Sequence, residues 1–195
     1  MKIDLCNRLV NNDLTKEELL EKVEIQKTNE DDFYQICHVL TKAFNLEHCS
    51  GEAALQLIHS NVLINESIKL VDKETLEIYG LLMFCEYPIS IGSPIINVNK
   101  DLSDYLGRFK QVNGHSFIID ERLRGTGLDK KMLFHNINYL AKNYDMIWIG
   151  VEKSLRSLGY WHFFGFTDIF VTEEATFLML PLSNKLINKI LETDG

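Results

Sequence analysis

Apolar residues recur along this chain with two alternating periods, and the switches between them mark out its elements. Thr15-Lys-Glu-Glu18 has the spacing of a capping box and opens a short helix through Leu19 and Leu20. Val23 and Ile25 alternate with Glu24 and Gln26, the two-residue period of a first strand. From Asp31 to Asn45 the period lengthens. Phe33, Ile36, Cys37, Leu40, Ala43 and Phe44 fall at three- and four-residue steps and predict an amphipathic helix, with a second short helix over 52–59. Residues 66–73 and 76–87 read as two strands around the polar turn Lys73 to Thr75, an antiparallel hairpin whose second strand is apolar enough to be central.

Two prolines, a glycine and two serines place a loop over 88–101, followed by a short helix from 101 to about 109. A strand is predicted at 115–119. A helix then runs to about Asn143, with Leu128, Met132, Leu133, Ile137, Leu140 and Ala141 on one face. Met146 to Val151 is a continuous apolar run, as in a strand covered on both faces. A helix over 154–164, strands near 166–172 and 175–180, and a C-terminal helix over 182–195 complete the chain. The expected architecture is α/β: a mixed sheet of about six or seven strands, antiparallel in its first half, with flanking helices. We expect one domain over 1–195, with an accessory helix within 1–22.

Composition narrows the functional classes. A chain of 195 residues with 46% hydrophobic and 25% charged residues and only three prolines is globular and carries little linker. No apolar run reaches the roughly 18 residues of a membrane span, and the N-terminus lacks a signal-peptide core, so the expected compartment is the cytoplasm. A net charge of −8 argues against a general nucleic-acid binder. Cys6, Cys37, Cys49 and Cys85 show no paired spacing and read as reduced and structural. His38, His48 and Cys49 do not form a recognisable zinc set, and no metal is expected.

Chemistry concentrates between His115 and Leu133, HSFIIDERLRGTGLDKKML, where an apolar strand ends in a charged, glycine-bearing turn and a helix follows at once. A helix start exposes backbone N–H groups without intrahelical partners and carries partial positive charge, so such a turn holds phosphates through the main chain. Gly125 and Gly127 let that backbone come close, while Arg122, Arg124, Lys130 and Lys131 add charge. The plainer alternative is an ordinary strand-to-helix connection.

The element order from 23 to 180, with a glycine turn after the fourth strand, resembles the GNAT superfamily of acyl-CoA-dependent N-acyltransferases. The family's phosphate motif is Arg or Gln, two residues, Gly, one residue, then Gly or Ala. Arg122 to Gly127 satisfies every letter but puts Lys130 and Lys131 where the helix should be apolar. Arg124-Gly125-Thr126-Gly127-Leu128-Asp129 keeps Met132 and Leu133 on the buried face and is preferred, with Asp129 a departure at the last position. Trp161-His162-Phe163-Phe164-Gly165-Phe166 resembles the family's Tyr-x-x-x-Gly-Phe, with Trp161 in place of the tyrosine that often acts as general acid. Tyr160 is adjacent, and packing in an aromatic cluster is its plainer role.

The resemblance implies acetyl-CoA as co-substrate. Its pantetheine arm would run along Phe117, Ile118 and Ile119, splayed from the Met146 to Val151 strand, its pyrophosphate would lie on Arg124 to Asp129, and Ser154 would replace a CoA-contacting asparagine. The acetyl group would pass to a primary amine, of a small molecule or a peptide, by direct attack. Tyr160 is then the candidate acid. The family's usual carboxylate base is missing from Val112-Asn113-Gly114-His115, which makes His115 the candidate base, with Glu86 and Glu152 as lesser ones. The alternative is a GNAT-like domain that binds CoA without turnover. The apolar final strands and C-terminal helix are compatible with a homodimer.

Overall fold

The computed structural model describes residues 15–43, 66–86, 97, 99–153 and 157–182. Its seven strands form one sheet in the order β1-β2-β3-β4-β5-β7-β6: β1 Val23–Lys27, β2 Ile68–Asp72, β3 Ile78–Cys85, β4 Gln111–Ile119, β5 Met146–Glu152, β6 Thr167–Val171 and β7 Ala175–Pro181. Five helices accompany them among the described residues: α1 Lys16–Lys22, α2 Phe33–Ala43, α3 Lys100–Leu106, α4 Leu128–Leu140 and α5 Leu158–Phe163. The mixed α/β architecture and its antiparallel first half follow the expectation. β1 pairs antiparallel with β2 and β2 with β3, β4 and β5 pair in parallel, and β7 lies antiparallel to both β5 and β6. The predicted helices over 52–59 and 182–195 lie outside the described residues.

The chain divides into two compact units, Met1–Phe84 with Ser116–Asn136 and Cys85–His115 with Ile137–Gly195. In the first, α2 packs Ile36 and Leu40 against Val71, Ile78, Leu81 and Met83, with Ile118 at the margin. Asn29 and Asp32 form a capping box ahead of α2, and Asp32 also pairs with the Lys69 ammonium, both residues being buried. Burying two charges is tolerable because each meets the other and Asp32 additionally accepts the Asn29 N–H at 2.8 Å. The β2-β3 turn is closed by Asp72, whose side chain accepts the N–H groups of Glu74 and Thr75. In the second unit, Trp148, Met146, Phe177 and Met179 pack with Leu106 into a separate core.

Several boundaries differ from expectation. β4 begins at Gln111 rather than 115, because the polar residues of its first half are satisfied in place. Gln111 donates its amide to the Leu106 carbonyl at 2.6 Å, and Asn113 donates to that of Trp148 at 3.2 Å. α4 ends at Leu140, so Ala141 is exposed beyond it. The buried face of α4 instead includes Asn136, fully buried, whose amide donates to the Glu66 carbonyl at 3.2 Å. Among the described residues Cys37 and Cys85 form no disulfide, and burial pushes the Cys85 pKa up to about 11, which keeps it protonated and unreactive.

Candidate phosphate-binding turn

β4 ends at Ile119, where the Asp120 N–H donates to the Tyr79 carbonyl of β3 at 2.8 Å. Asp120 then caps a single turn of 3-10 helix, Glu121–Leu123, by accepting the Arg122 N–H at 3.0 Å. The same carboxylate takes two further bonds from the Arg122 guanidinium, from Nε at 2.9 Å and Nη2 at 2.7 Å. These bonds hold the Asp120 carboxyl below the ordinary carboxylate pKa, and Lys42 adds a weaker pull. Arg122 is therefore committed to its own strand end, whereas Arg124 is exposed. Met132 and Leu133 are buried on α4, and Lys131 is exposed.

The turn proper is Arg124 to Gly127. Gly125 and Gly127 have φ of 75° and 84°, the left-handed region that disfavours residues with a Cβ. A Cβ built on either would meet nothing within 4 Å, so the turn lies open on that side. The Thr126 N–H and hydroxyl both donate to the Leu123 carbonyl, at 3.3 and 2.6 Å, and tie the turn back on itself. Among the described residues, the N–H groups of Gly125, Gly127 and Asp129 take no part in such bonds. Leu128 and Asp129 open α4, whose N-terminal partial charge adds to the same region. The arrangement can hold an anion through the main chain, with Asp129 the one carboxylate placed in that first turn.

Two features join the turn to the rest of the first unit. The Lys16 ammonium at the start of α1 donates to the Gly125 carbonyl at 3.2 Å. A cleft of about 440 Å³ lies beside Asp120, bounded by Lys42, Tyr79, Ile118, Ile119 and Arg124 among others. Neither Lys16 nor Asp120 was a candidate from the sequence. Asp120 stands two residues before Arg122 directly after a strand, a signal the motif's own letters overshadowed. Lys16 is 109 positions from Gly125, and nothing local marks it.

The other candidates fall differently. Phe117, Ile118 and Ile119 are half-buried at the end of β4, in the same unit as the turn. The β4-β5 register runs from Gln111↔Met146 to Gly114↔Ile149 and stops there, while β4 continues to Ile119, as expected if the two strands part. His115 and Tyr160 belong to the second unit. His115 retains exposed surface, yet the protein around its ring removes enough water to hold its pKa below that of ordinary histidine. It is consequently neutral at pH 7. The Tyr160 ring sits 4.9 Å from that of Phe164 and 5.5 Å from that of Trp161, within an aromatic cluster, and its hydroxyl oxygen is buried. Glu86 and Glu152 are exposed, and Ser154 lies outside the described residues. No group of three or more His, Cys, Asp or Glu that could hold a metal ion occurs among the described residues. No described helix is long and apolar enough to cross a membrane.

No protein-family model matches the chain. No curated protein sequence matches it either. Solved structures do. The ribosomal-protein-S18-alanine N-acetyltransferase from Escherichia coli superposes with a TM-score of 0.57 at 15% identity, covering 83% of this chain and 94% of the other. An acetyltransferase of the GNAT family from Staphylococcus aureus Mu50 gives 0.57 at 15%, covering 83% and 99%. A chain of the NatC complex bound to Gag peptide and CoA gives 0.59 at 16%, also covering 83% and 99%. The fold of this chain is thus that of the GNAT acetyltransferases.

Proposed function

We propose that this protein is an N-acyltransferase, one GNAT-type domain that moves an acetyl group from acetyl-CoA to a primary amine. The observation that carries the reading is the Arg124 to Asp129 turn: two glycines at positive φ, N–H groups of Gly125, Gly127 and Asp129 that take no backbone bond among the described residues, and a helix start, all at the end of β4 on a GNAT fold. A pyrophosphate accepting those N–H groups would anchor the donor, with Arg124 supplying charge. The pantetheine arm would follow Phe117 to Ile119, where β4 has run past its register with β5. Ser154 would add a hydroxyl contact to the donor.

In the reaction the neutral amine nitrogen attacks the thioester carbonyl, a C–N bond forms, and the C–S bond breaks. The nitrogen loses a proton and the departing thiolate gains one. His115, neutral at pH 7 because its pKa is lowered, accepts the first, and Tyr160 donates the second. Two of the structural neighbours name a ribosomal protein or a peptide, which favours a peptide or protein amine over a small one as acceptor. We place this activity in the cytoplasm as part of the same proposal.

The rival reading, a domain that binds CoA without turnover, is favoured by the Asp129 carboxylate in the phosphate turn and by the packing of Tyr160 among aromatic rings. The two separate in one assay. Acetyl-CoA is supplied with a panel of peptide N-termini, polyamines and amino acids, and free thiol is measured alongside calorimetric binding. Amine-dependent thiol release supports the transferase. Binding without release selects the rival, and no binding of acetyl-CoA at all removes both.

A further inference from the structure

We infer that Lys16, at the start of α1, is a positioning residue for the diphosphate of a CoA-type ligand, fixing the peptide group of Gly125 in the turn; the inference rests on the reading of that turn as the CoA site. Gly125 needs such a partner. A glycine at φ of 75° populates either sign of φ with little penalty, so the peptide that follows it is easily reoriented. That peptide is clamped at both ends. Its carbonyl accepts from the Lys16 Nζ at 3.2 Å, and its N–H, on Thr126, points the opposite way onto the Leu123 carbonyl at 3.3 Å. Among the described residues no other donor reaches the Gly125 carbonyl.

Lys16 is itself placed with care by its surroundings. Thr15 caps α1, accepting the Glu18 N–H at 3.2 Å while the Glu18 carboxylate accepts the Thr15 N–H at 2.7 Å. Leu19, one turn on, is fully buried, and α1 runs directly into β1. The backbone that carries Lys16 is thereby locked to the sheet and not left as an arm. Its charge also matters. Arg122 is paired with Asp120, and Asp129 brings a carboxylate into the first turn of α4, so the Lys16 ammonium adds to Arg124 in offsetting that negative charge. It does so while holding a carbonyl dipole that would repel an anion if it turned inward.

Calorimetric titration with CoA, with dephospho-CoA and with S-acetylpantetheine, for the wild type, Lys16→Ala and Lys16→Arg, tests this. The substitution sits at the exposed first position of α1, where alanine is a good helix former, so the melting temperature is expected to be unchanged. Lys16→Ala is expected to weaken CoA and dephospho-CoA alike, about fivefold, and Lys16→Arg to recover most of the loss. The gap between wild type and Lys16→Ala should narrow in high salt. S-acetylpantetheine, which lacks the diphosphate, should not distinguish the variants. Equal CoA affinity for wild type and Lys16→Ala overturns the inference while leaving the CoA site in place, and so does a loss extending equally to S-acetylpantetheine. A wild type that does not bind CoA overturns the underlying reading instead.

Discussion

Asp120 does two jobs at the end of β4, capping the 3-10 turn and holding Arg122, and both depend on its negative charge or its oxygen lone pairs. Asp120→Asn keeps the cap, since asparagine caps equally well, but loses the ion pair. The expected cost at pH 7 is about 1 kcal/mol, modest because the pair keeps partial access to water. The pH dependence has a definite sign. The folded-state pKa is lowered, so the stabilisation is complete above the ordinary carboxylate pKa of about 3.9 and is lost as pH falls through the lower folded value. Urea denaturation at a series of pH values should show wild type and variant converging in that acidic window and separated above it. Separation that persists at the acid end would mean that the charge is not what Asp120 contributes. For His115 the shift runs in the same direction but from a different cause, the loss of water around its ring. Its folded pKa is lowered, so protonation, and with it loss of base function, is expected only below the ordinary histidine value of about 6.5. The acidic limb of the rate profile should lie below that value for the wild type and vanish in His115→Ala, and an identical limb in the variant would assign the base elsewhere. Gly125 offers a third residue-level test. With open space around a built Cβ, Gly125→Ala meets no steric clash, only the cost of a left-handed residue, about 1–2 kcal/mol. CoA affinity should therefore fall through a shift of the turn rather than through bulk, and unchanged affinity in the folded variant would move the phosphate site off this turn.

Phase along α4 decides more than composition does. Lys131, Met132 and Leu133 are consecutive, yet the first is exposed and the other two are buried to within 1% of full coverage. Leu133→Ala is expected to cost about 2–5 kcal/mol by leaving a cavity, and Lys131→Ala less than about 0.5 kcal/mol. Equal thermal shifts for the two would mean that the helix is rotated from this placement. The facing strand imposes a matching limit at Gly80, where a Cβ would stand 3.1 Å from the Met132 sulfur and 3.2 Å from the Leu70 Cβ. The sulfur end of Met132 can swing aside and the Leu70 Cβ cannot, so Gly80 is small because two elements meet over it. Such phase was legible in the sequence, because apolar periodicity reports the direction a side chain takes. The first half of β4 was not, since the polar Gln111 and Asn113 break the apolar pattern and only their partners on β5 and α3 make them acceptable in a strand. The glycines of the turn after β4 were legible as well, and both take positive φ. What escaped was long-range: the burial of Asn136 against Glu66, and the reach of Lys16 to Gly125, each set by chain segments far apart in sequence.

At the scale of the whole chain, the path between the two units constrains how the protein unfolds. The boundaries fall at Phe84–Cys85, His115–Ser116 and Asn136–Ile137, which lie within β3, β4 and α4 respectively. No boundary falls in a linker, and each unit is assembled from separated stretches of chain. Melting one unit alone would require a strand or helix to end in mid-course, forfeiting hydrogen bonds on the side that stays folded. We therefore expect a single cooperative transition, consistent with one domain over the chain. Trp148 and Trp161 both belong to the second unit, so tryptophan fluorescence follows that unit while far-UV circular dichroism follows all the helices and strands. In urea the two signals should share one midpoint and one slope. A fluorescence midpoint displaced from that of circular dichroism would mean that the second unit melts on its own. The single-domain reading would then fail, whatever the turn at Gly125 binds.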